Sequence, residues 1–86
     1  MAVLRLRQPL KRLAGDQAEH RVTAATVGEA LEELERGHPG LDGWVLDERG
    51  ALRRHINVFV NGEPGAQESS VGPEDRIDVL PAISGG

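Results

Sequence analysis

Only one segment of this chain has the apolar spacing of a full-length amphipathic helix, and this limits the folds open to it. The segment covers residues 26–36, and Thr26 and Glu29 have the spacing of a capping box at its start. Gly37 fits the left-handed position after a helix, and Pro39 prevents continuation. A single helix of this kind can cover one face of one sheet. Its apolar stripe consists of Val27, Ala30, Leu31 and Leu34.

Short segments of alternating polarity on both sides of the helix predict β-strands. Two precede it, at residues 3–7 and 17–22, and two follow it, HINVFVN at 55–61 and RIDVL at 76–80. The order strand, strand, helix, strand, optional short strand, strand predicts an α+β fold of the β-grasp type. We expect a mixed sheet of four or five strands with one main helix packed on one face.

The remaining segments are predicted to be turns and loops. Asn61-Gly62 indicates a hairpin turn, and residues 63–72 allow at most one more short strand. Residues 9–16, 47–50 and 73–75 also carry turn signals. Residues 41–46 are expected to form a short helical turn that buries Trp44.

The chain has 86 residues and no cysteine, so it has room for one small domain held together by burial alone. We expect the domain to span residues 1–80 and residues 81–86 to form a flexible C-terminal tail. No run approaches the roughly 20 apolar residues of a membrane-spanning helix, and the N-terminus lacks a signal-peptide pattern. These features predict a cytoplasmic protein that is a monomer when free and makes no membrane contact.

The net charge is −4, from 10 basic and 14 acidic residues, and the acidic excess lies in the last third of the chain. The sequence has no basic stripe and only Trp44 and Phe59 as aromatic residues, so we do not expect nucleic acid as a partner. The acidic third would suit either a basic partner cleft or a solvated surface that aids solubility, and the sequence leaves both open.

No combination of side chains predicts a catalytic or metal site, so the chain is not expected to be an enzyme. His20, His38 and His55 lack metal-ligand spacing and have no cysteine to assist them. Ser69 and Ser70 lack the glycine context of a serine nucleophile. The glycines lie in predicted turns rather than in a phosphate-binding motif. We therefore expect the chain itself to bind no metal and no cofactor.

Two apolar residues point away from the predicted core. In the strand at 55–61 the inward residues alternate with Phe59, which is left on the opposite face. In the strand at 76–80 the same alternation leaves Leu80 outside, beside Asp78. If the two strands are neighbours, Phe59 and Leu80 form an exposed apolar patch, a feature that often marks a partner site. The alternative is that a loop covers each of them.

The chain closes with Gly85-Gly86 after the last predicted strand. Because glycine has no Cβ, such a tail can enter a channel too narrow for side chains and bring the carboxylate of Gly86 to a bound nucleotide. The alternative is an ordinary frayed terminus.

The whole chain resembles the ThiS/MoaD family of ubiquitin-like sulfur carriers. Three features carry the resemblance: the order of strands and helix, HINVFVNGE at 55–63, and the ending GPEDRIDVLPAISGG. The Leu-Pro-Ala-x-x-Gly-Gly pattern of the ending is the most specific of the three. Together with HINVFVN it is most similar to the CysO-type branch of the family.

The resemblance implies a function in sulfur transfer. A partner adenylyltransferase, similar to ubiquitin-activating enzymes, would activate the Gly86 carboxylate with ATP and magnesium, and a sulfur donor would then displace AMP to leave a thiocarboxylate. A second enzyme, a synthase, would hold the sulfur acceptor. Ile83, Ser84 and Gly85 match the tail that threads into the partner. Phe59, Leu80, Pro81 and Ala82 fall where the family docks its partners.

Three functions stay open at this point. Within the sulfur carriers, synthesis of cysteine or of a sulfur-containing metabolite is favoured, while thiamine, molybdopterin and tRNA thiolation remain alternatives. A ubiquitin-like modifier would use the same activation and join Gly86 to target lysines; Lys11 is the only lysine of the chain, which disfavours polymers. A β-grasp interaction module with an idle tail would instead work through Phe59 and Leu80.

Overall fold

The computed structural model describes residues 1–81, and its elements follow the predicted order around one main helix. The short helix α1 is an addition: it lies inside the segment predicted to be a turn, where it buries Leu10. Neither helix of the described residues has the length and apolar character needed to cross a membrane. In chain order the elements are β1 (Ala2–Leu6), α1 (Leu10–Leu13), β2 (Glu19–Val22), α2 (Val27–Gly37), a 3-10 helix (Pro39–Leu41), β3 (Ile56–Val60), β4 (Glu63–Pro64) and β5 (Arg76–Pro81).

The five strands form one mixed sheet in the order β2-β1-β5-β3-β4. The first and last described strands, β1 and β5, run parallel to each other in its centre. The other three pairs, β1–β2, β3–β4 and β3–β5, are antiparallel. The predicted α+β fold of the β-grasp type is therefore confirmed, with five strands rather than four.

The helix α2 and the loops cover one face of this sheet, and strand alternation supplies the core. Leu4 of β1, Ile77 of β5 and Leu31 of α2 are completely buried. Removing each such side chain from water stabilises the folded state by about 1.5–3 kcal/mol. The core consists of Ala2, Leu4, Leu6, Leu10, Ala14, Val22, Val27, Ala30, Leu31, Leu34, Leu41, Val45, Leu46, Ile56, Val58, Val71, Ile77 and Val79.

The predicted start of α2 is confirmed, and its predicted end is not. Thr26 Oγ1 accepts a hydrogen bond from Glu29 N at 3.2 Å, and Glu29 Oε1 accepts one from Ala25 N at 3.1 Å. The glutamate thus reaches one residue further back than a capping box predicts. Gly37 is the last helical residue rather than a left-handed cap. The helix stops because Pro39 lacks the N–H group that another turn would need.

The expectation that Trp44 is buried is wrong. Its exposed fraction is 46%, whereas its neighbours Val45 and Leu46 are buried. Gly43 has a φ of +84°, and this turn directs Val45 and Leu46 into the core. The helical turn itself lies slightly earlier, where Leu41 provides the buried side chain.

Gln67 ties the long irregular segment before β5 to the rest of the domain. Its backbone carbonyl accepts a hydrogen bond from Gly28 N at 2.9 Å, at the start of α2. Its side chain accepts from Leu52 N at 3.1 Å and donates to the carbonyl of Gly50. A Cβ on Gly28 would lie 2.9 Å from Gln67 Cγ, so this close approach requires glycine.

Candidate functional site

Phe59 and Leu80 share the face of the sheet that α2 does not cover, here called the open face. In the antiparallel pair of β3 and β5, Phe59 lies opposite Asp78, and Leu80 lies opposite Asn57. The two apolar side chains are therefore diagonal neighbours across the two strands. Both are half-buried, while the alternate residues Val58 and Val79 enter the core. The structure thus brings together the two residues that the sequence placed on one surface.

Strand register places charged residues beside this apolar pair. Arg5, Asp78 and Phe59 lie directly opposite one another on β1, β5 and β3. The same row continues to Glu19 on β2 and Pro64 on β4, so it crosses all five strands. Acidic and basic groups therefore alternate over β2, β1 and β5, and the same row is apolar over β3 and β4.

Asp78 forms ion pairs with two arginines of the open face. Its carboxylate lies 3.1 Å from Arg76 Nε and 3.6 Å from Arg5 Nε, and these are the ion pairs present within residues 1–81. The exposed fraction is 23% for the Asp78 side chain and about half for the two arginines. Because the arginines remain accessible, the pairs stabilise the fold by less than about 1 kcal/mol each. Their main effect is to draw two guanidinium groups toward the middle of the open face.

A shallow depression of about 310 Å³ lies between these groups. Sequence reasoning found its two apolar residues but missed its arginines. The strand alternation does mark Arg5, Arg76 and Asp78 as outward-facing; what was missing was the parallel pairing of β1 with β5. The lining includes Arg5, Arg7, Phe59, Arg76, Asp78 and Leu80.

The start of the tail adjoins this depression. Strand β5 continues to Pro81, one residue beyond the predicted strand, and Pro81 pairs with Ile56. Leu80 is thus the last outward residue of β5 before the described chain ends. The predicted tail residues Ala82, Ile83, Ser84, Gly85 and Gly86 lie outside the described residues.

A hydrogen-bond network fixes the opposite end of β3 and β5. Asn61 and Gly62 have positive φ angles of 53° and 86°, which confirms the predicted two-residue hairpin turn. Asn61 Nδ2 donates to Asp75 Oδ1 at 2.9 Å, and Asn61 Oδ1 accepts from Arg76 N at 2.9 Å. Hydrogen bonds from Gly72 N and from the Asn61 side chain lower the pKa of the Asp75 carboxyl. The turn therefore anchors the strands that carry the open face.

The histidines do not form a site with other ligating groups. His20 is buried, with Nε2 2.9 Å from the carbonyl oxygen of Gln17, and its ring contacts that of His38 edge to face. Among residues 1–81 no group of three or more metal-ligating side chains comes together.

Comparison with known proteins adds three findings. Residues 4–86 match the ThiS family. Small archaeal modifier protein 1 of Haloferax volcanii is 42% identical over 62 residues, which cover 72% of this chain and 71% of the relative. A crystal structure of that modifier superposes with a TM-score of 0.88, at 36% identity, over 99% of this chain and 98% of the other.

Two further relatives carry the name CysO. Sulfur carrier protein CysO of Mycobacterium tuberculosis is 28% identical over 78 residues, covering 84% of both chains. A chain in the crystal structure of the Amycolatopsis orientalis BexX/CysO complex superposes with a TM-score of 0.88, at 30% identity, over the full length of both. The names of these relatives describe small carrier and modifier proteins.

Proposed function

The chain belongs to the ThiS family, and we propose that it is a sulfur carrier that holds sulfur as a thiocarboxylate on Gly86. The relatives support this assignment through two names, sulfur carrier for CysO and small modifier for the archaeal protein. The chain is then a co-substrate of enzymes that act on it in the cytoplasm, and it catalyses no step itself.

Two steps would load the sulfur. The carboxylate of Gly86 attacks the α-phosphorus of ATP in the partner adenylyltransferase, and pyrophosphate leaves with the magnesium ion. A sulfur donor then attacks the carbonyl carbon of the glycyl adenylate, and AMP leaves. Adenylation is needed because a free carboxylate is a poor electrophile. The partner supplies ATP and magnesium, so this chain has to supply only a surface for docking and a tail that reaches the nucleotide.

The position of the open face relative to the tail carries the proposal. Phe59 and Leu80 lie side by side on an uncovered sheet, and Leu80 directly precedes the strand end at Pro81. A partner that binds this face is therefore held next to the first residue of the tail. In this proposal the docking contacts come from Phe59, Leu80, Pro81 and Ala82, and Ile83, Ser84 and Gly85 thread toward the nucleotide.

The sulfur would go to cysteine or to a sulfur-containing metabolite through a second enzyme. The similarity to two CysO proteins favours this destination over thiamine, molybdopterin and tRNA thiolation. A second candidate is conjugation to other proteins, which the similarity to small archaeal modifier protein 1 favours. Both functions begin with the same adenylate, so they differ only in the nucleophile that attacks it.

Exchange of labelled pyrophosphate into ATP tests the shared first step. The purified adenylyltransferase from the same cells is mixed with the wild-type chain, with a chain that lacks Gly86, or with no carrier. We expect exchange with the wild-type chain alone, since the tail that lacks Gly86 is one residue too short to reach the nucleotide. Exchange with the wild-type chain no greater than without a carrier would contradict the proposal and favour an interaction module with an idle tail. Equal exchange with both chains would contradict the assignment of the activated carboxylate to Gly86.

A second measurement separates the two candidate functions. Lysine-linked remnants ending in Gly85-Gly86, found on other proteins after digestion of host extract, would support conjugation. A thiocarboxylate on the isolated chain without such remnants would support sulfur transfer alone.

A further inference from the structure

The charges of this chain are divided between two sides of the sheet. Four of the 10 basic residues project from the open face, but only two of the 14 acidic residues do so, Glu19 and Asp78. On the other side, α2 alone carries Glu29, Glu32, Glu33 and Glu35. A chain with a net charge of −4 therefore presents a positive face. The four basic residues are Arg5, Arg7, Arg21 and Arg76.

The basic and apolar groups occupy adjoining halves of the open face. Phe59 and Leu80 lie on the β3–β5 half, next to the start of the tail. Arg5 lies beyond Asp78 on the β1 side, and Arg21 lies opposite Val3 on the β1–β2 half. Arg7 lines the depression together with the apolar pair. A partner that covers Phe59 and Leu80 must therefore also cover guanidinium groups.

We propose that the surface that docks here presents carboxylates to Arg5, Arg7 and Arg76, beside an apolar recess that receives Phe59 and Leu80. This inference rests on the proposed function, and it assigns the acidic surface to the adenylyltransferase that receives the tail. Guanidinium groups lose water when a partner covers them, and this desolvation is costly unless an acceptor of opposite charge replaces the water. Carboxylates match the planar fork of arginine better than any other side chain does.

Asp78 has a positioning function in this arrangement. It holds Arg5 and Arg76 on either side of the depression and neutralises part of their charge in the free chain. Because an arginine side chain loses conformational entropy when a partner fixes it, a guanidinium that already contacts Asp78 loses less on binding. The partner then meets a preformed pair of cationic groups.

The division of charge also orients the approach. An acidic partner surface attracts the open face and repels the glutamates of α2, so encounters through the open face are favoured. The sequence left open whether the acidic last third suits a basic partner cleft or a solvated surface, and an acidic partner at the open face favours the solvated surface. Of that third, Arg76 and Asp78 lie on the open face, joined by an ion pair.

Charge reversal with a matched control tests the proposal. The double variant Arg7→Glu with Arg76→Glu changes the open face, and the double variant Arg36→Glu with Arg49→Glu makes the same change in net charge at exposed positions on α2 and in the loop after Asp47. The association rate with the purified adenylyltransferase is measured by stopped flow at two salt concentrations, about 0.05 M and about 0.5 M. They lie below and above the roughly 0.1 M at which the electrostatic screening length is ~10 Å.

We expect the open-face variant to associate about tenfold more slowly in low salt and the control to associate at the wild-type rate. The difference should shrink in high salt. Urea unfolding shows whether the charge-reversal variant still folds. The double variant Arg7→Gln with Arg76→Gln adds no carboxylate beside Asp78, and we expect it to associate more slowly than wild type as well.

The outcomes separate this inference from the proposed function. Wild-type chain that supports ATP exchange, with equal association rates for both double variants, would overturn the acidic docking surface and leave the carrier function intact. Wild-type chain that neither binds nor supports exchange would overturn both. Retention of the wild-type chain on a DNA oligonucleotide, lost in the open-face variant alone, would assign the arginines to nucleic acid and overturn the inference.

Discussion

The two faces of the one sheet differ in what they contribute. The covered face consists of aliphatic side chains, many of them with no exposed surface, and within residues 1–81 its one buried polar residue is His20. The open face carries arginines, a central aspartate and two half-buried apolar residues. Because side chains alternate along a strand, consecutive residues of the same strand belong in turn to the core and to the open face. Substitutions on one face should change stability, and substitutions on the other should change partner binding.

The largest effect is expected at the centre of the covered face. Leu31→Ala removes a fully buried side chain of α2 that packs in the core. We expect the free energy of unfolding to fall by about 3 kcal/mol, a large part of the roughly 5–15 kcal/mol of a typical domain. Urea denaturation measures it. Leu80→Ala, on the open face, is the control, and an equal loss there would contradict the division between the faces.

The next effect concerns binding rather than folding. Phe59→Ala removes the larger of the two apolar groups of the open face while leaving Val58 and Val60 in place. We expect affinity for the adenylyltransferase to fall about 10- to 100-fold, as at central aromatic contacts of interfaces. Titration calorimetry checks this. Trp44→Ala removes an exposed aromatic away from the open face, and a loss of affinity there as large as for Phe59→Ala would shift the docking site.

A smaller effect is expected at the start of α2, on the covered side. Thr26→Ala removes the hydroxyl that accepts from Glu29 N, and we expect the free energy of unfolding to fall by about 1 kcal/mol. Binding to the adenylyltransferase should not change once the chain is folded. Thr23→Ala is the control: it removes a 3.4 Å hydrogen bond from the Thr23 hydroxyl to Glu33, while the Glu33 carboxylate still accepts from the Thr23 backbone N–H. A loss there as large as for Thr26→Ala would contradict the assigned cap.

The smallest effects are those of pH. Hydrogen bonds from backbone N–H groups lower the pKa of Asp47 and of Asp75 below the usual 3.8. A carboxyl with a lowered pKa contributes stability above its unfolded pKa and loses it as the pH falls through the folded value. The stability difference between wild type and Asp75→Asn should therefore be present at pH 7 and should shrink in the acid range. A difference in stability that stays constant from pH 7 into the acid range would contradict a lowered pKa for Asp75.

Glu35 should show the opposite sign. Burial raises its pKa, despite a hydrogen bond from Leu46 N at 3.2 Å. The charged form is therefore disfavoured by folding, and its cost appears as the pH rises through the folded pKa. Glu35→Gln keeps an acceptor for Leu46 N, so we expect it to be at least as stable as wild type at pH 7. Chemical denaturation at pH 4 and pH 7 measures the change; a clear loss at pH 7 would contradict the assigned cause.

Local sequence signals predicted the elements that local chemistry controls. The hydroxyl cap of Thr26 on Glu29 N and the turn at Asn61-Gly62 formed as expected, because their hydrogen bonds and φ angles depend on residues close in the chain. Phe59 and Leu80 were placed on one face by alternation within two strands. The family was also evident from the ending of the chain, which carries its most specific motif.

The rest depended on contacts between distant segments. Trp44 was expected inside, on a short helical turn, but Leu41, Val45 and Leu46 fill that part of the core. Gly37 matched a helix end, yet Pro39 ends α2 without any left-handed residue. The charged centre at Asp78 exists because β1 pairs in parallel with β5 across nearly the whole chain. No local pattern encodes that pairing, so the arginines of the open face could not be grouped from sequence.

Intact mass spectrometry tests the central claim, that Gly86 carries sulfur, most directly. The chain is incubated with the adenylyltransferase of the same cells, ATP, magnesium and sulfide, beside a chain that lacks Gly86. The account predicts a mass gain equal to replacement of one oxygen by sulfur in the wild-type chain, located to Gly86 by fragmentation and absent from the shortened chain. An unchanged mass with an enzyme that loads another carrier in parallel would contradict the assignment of this chain as a sulfur carrier.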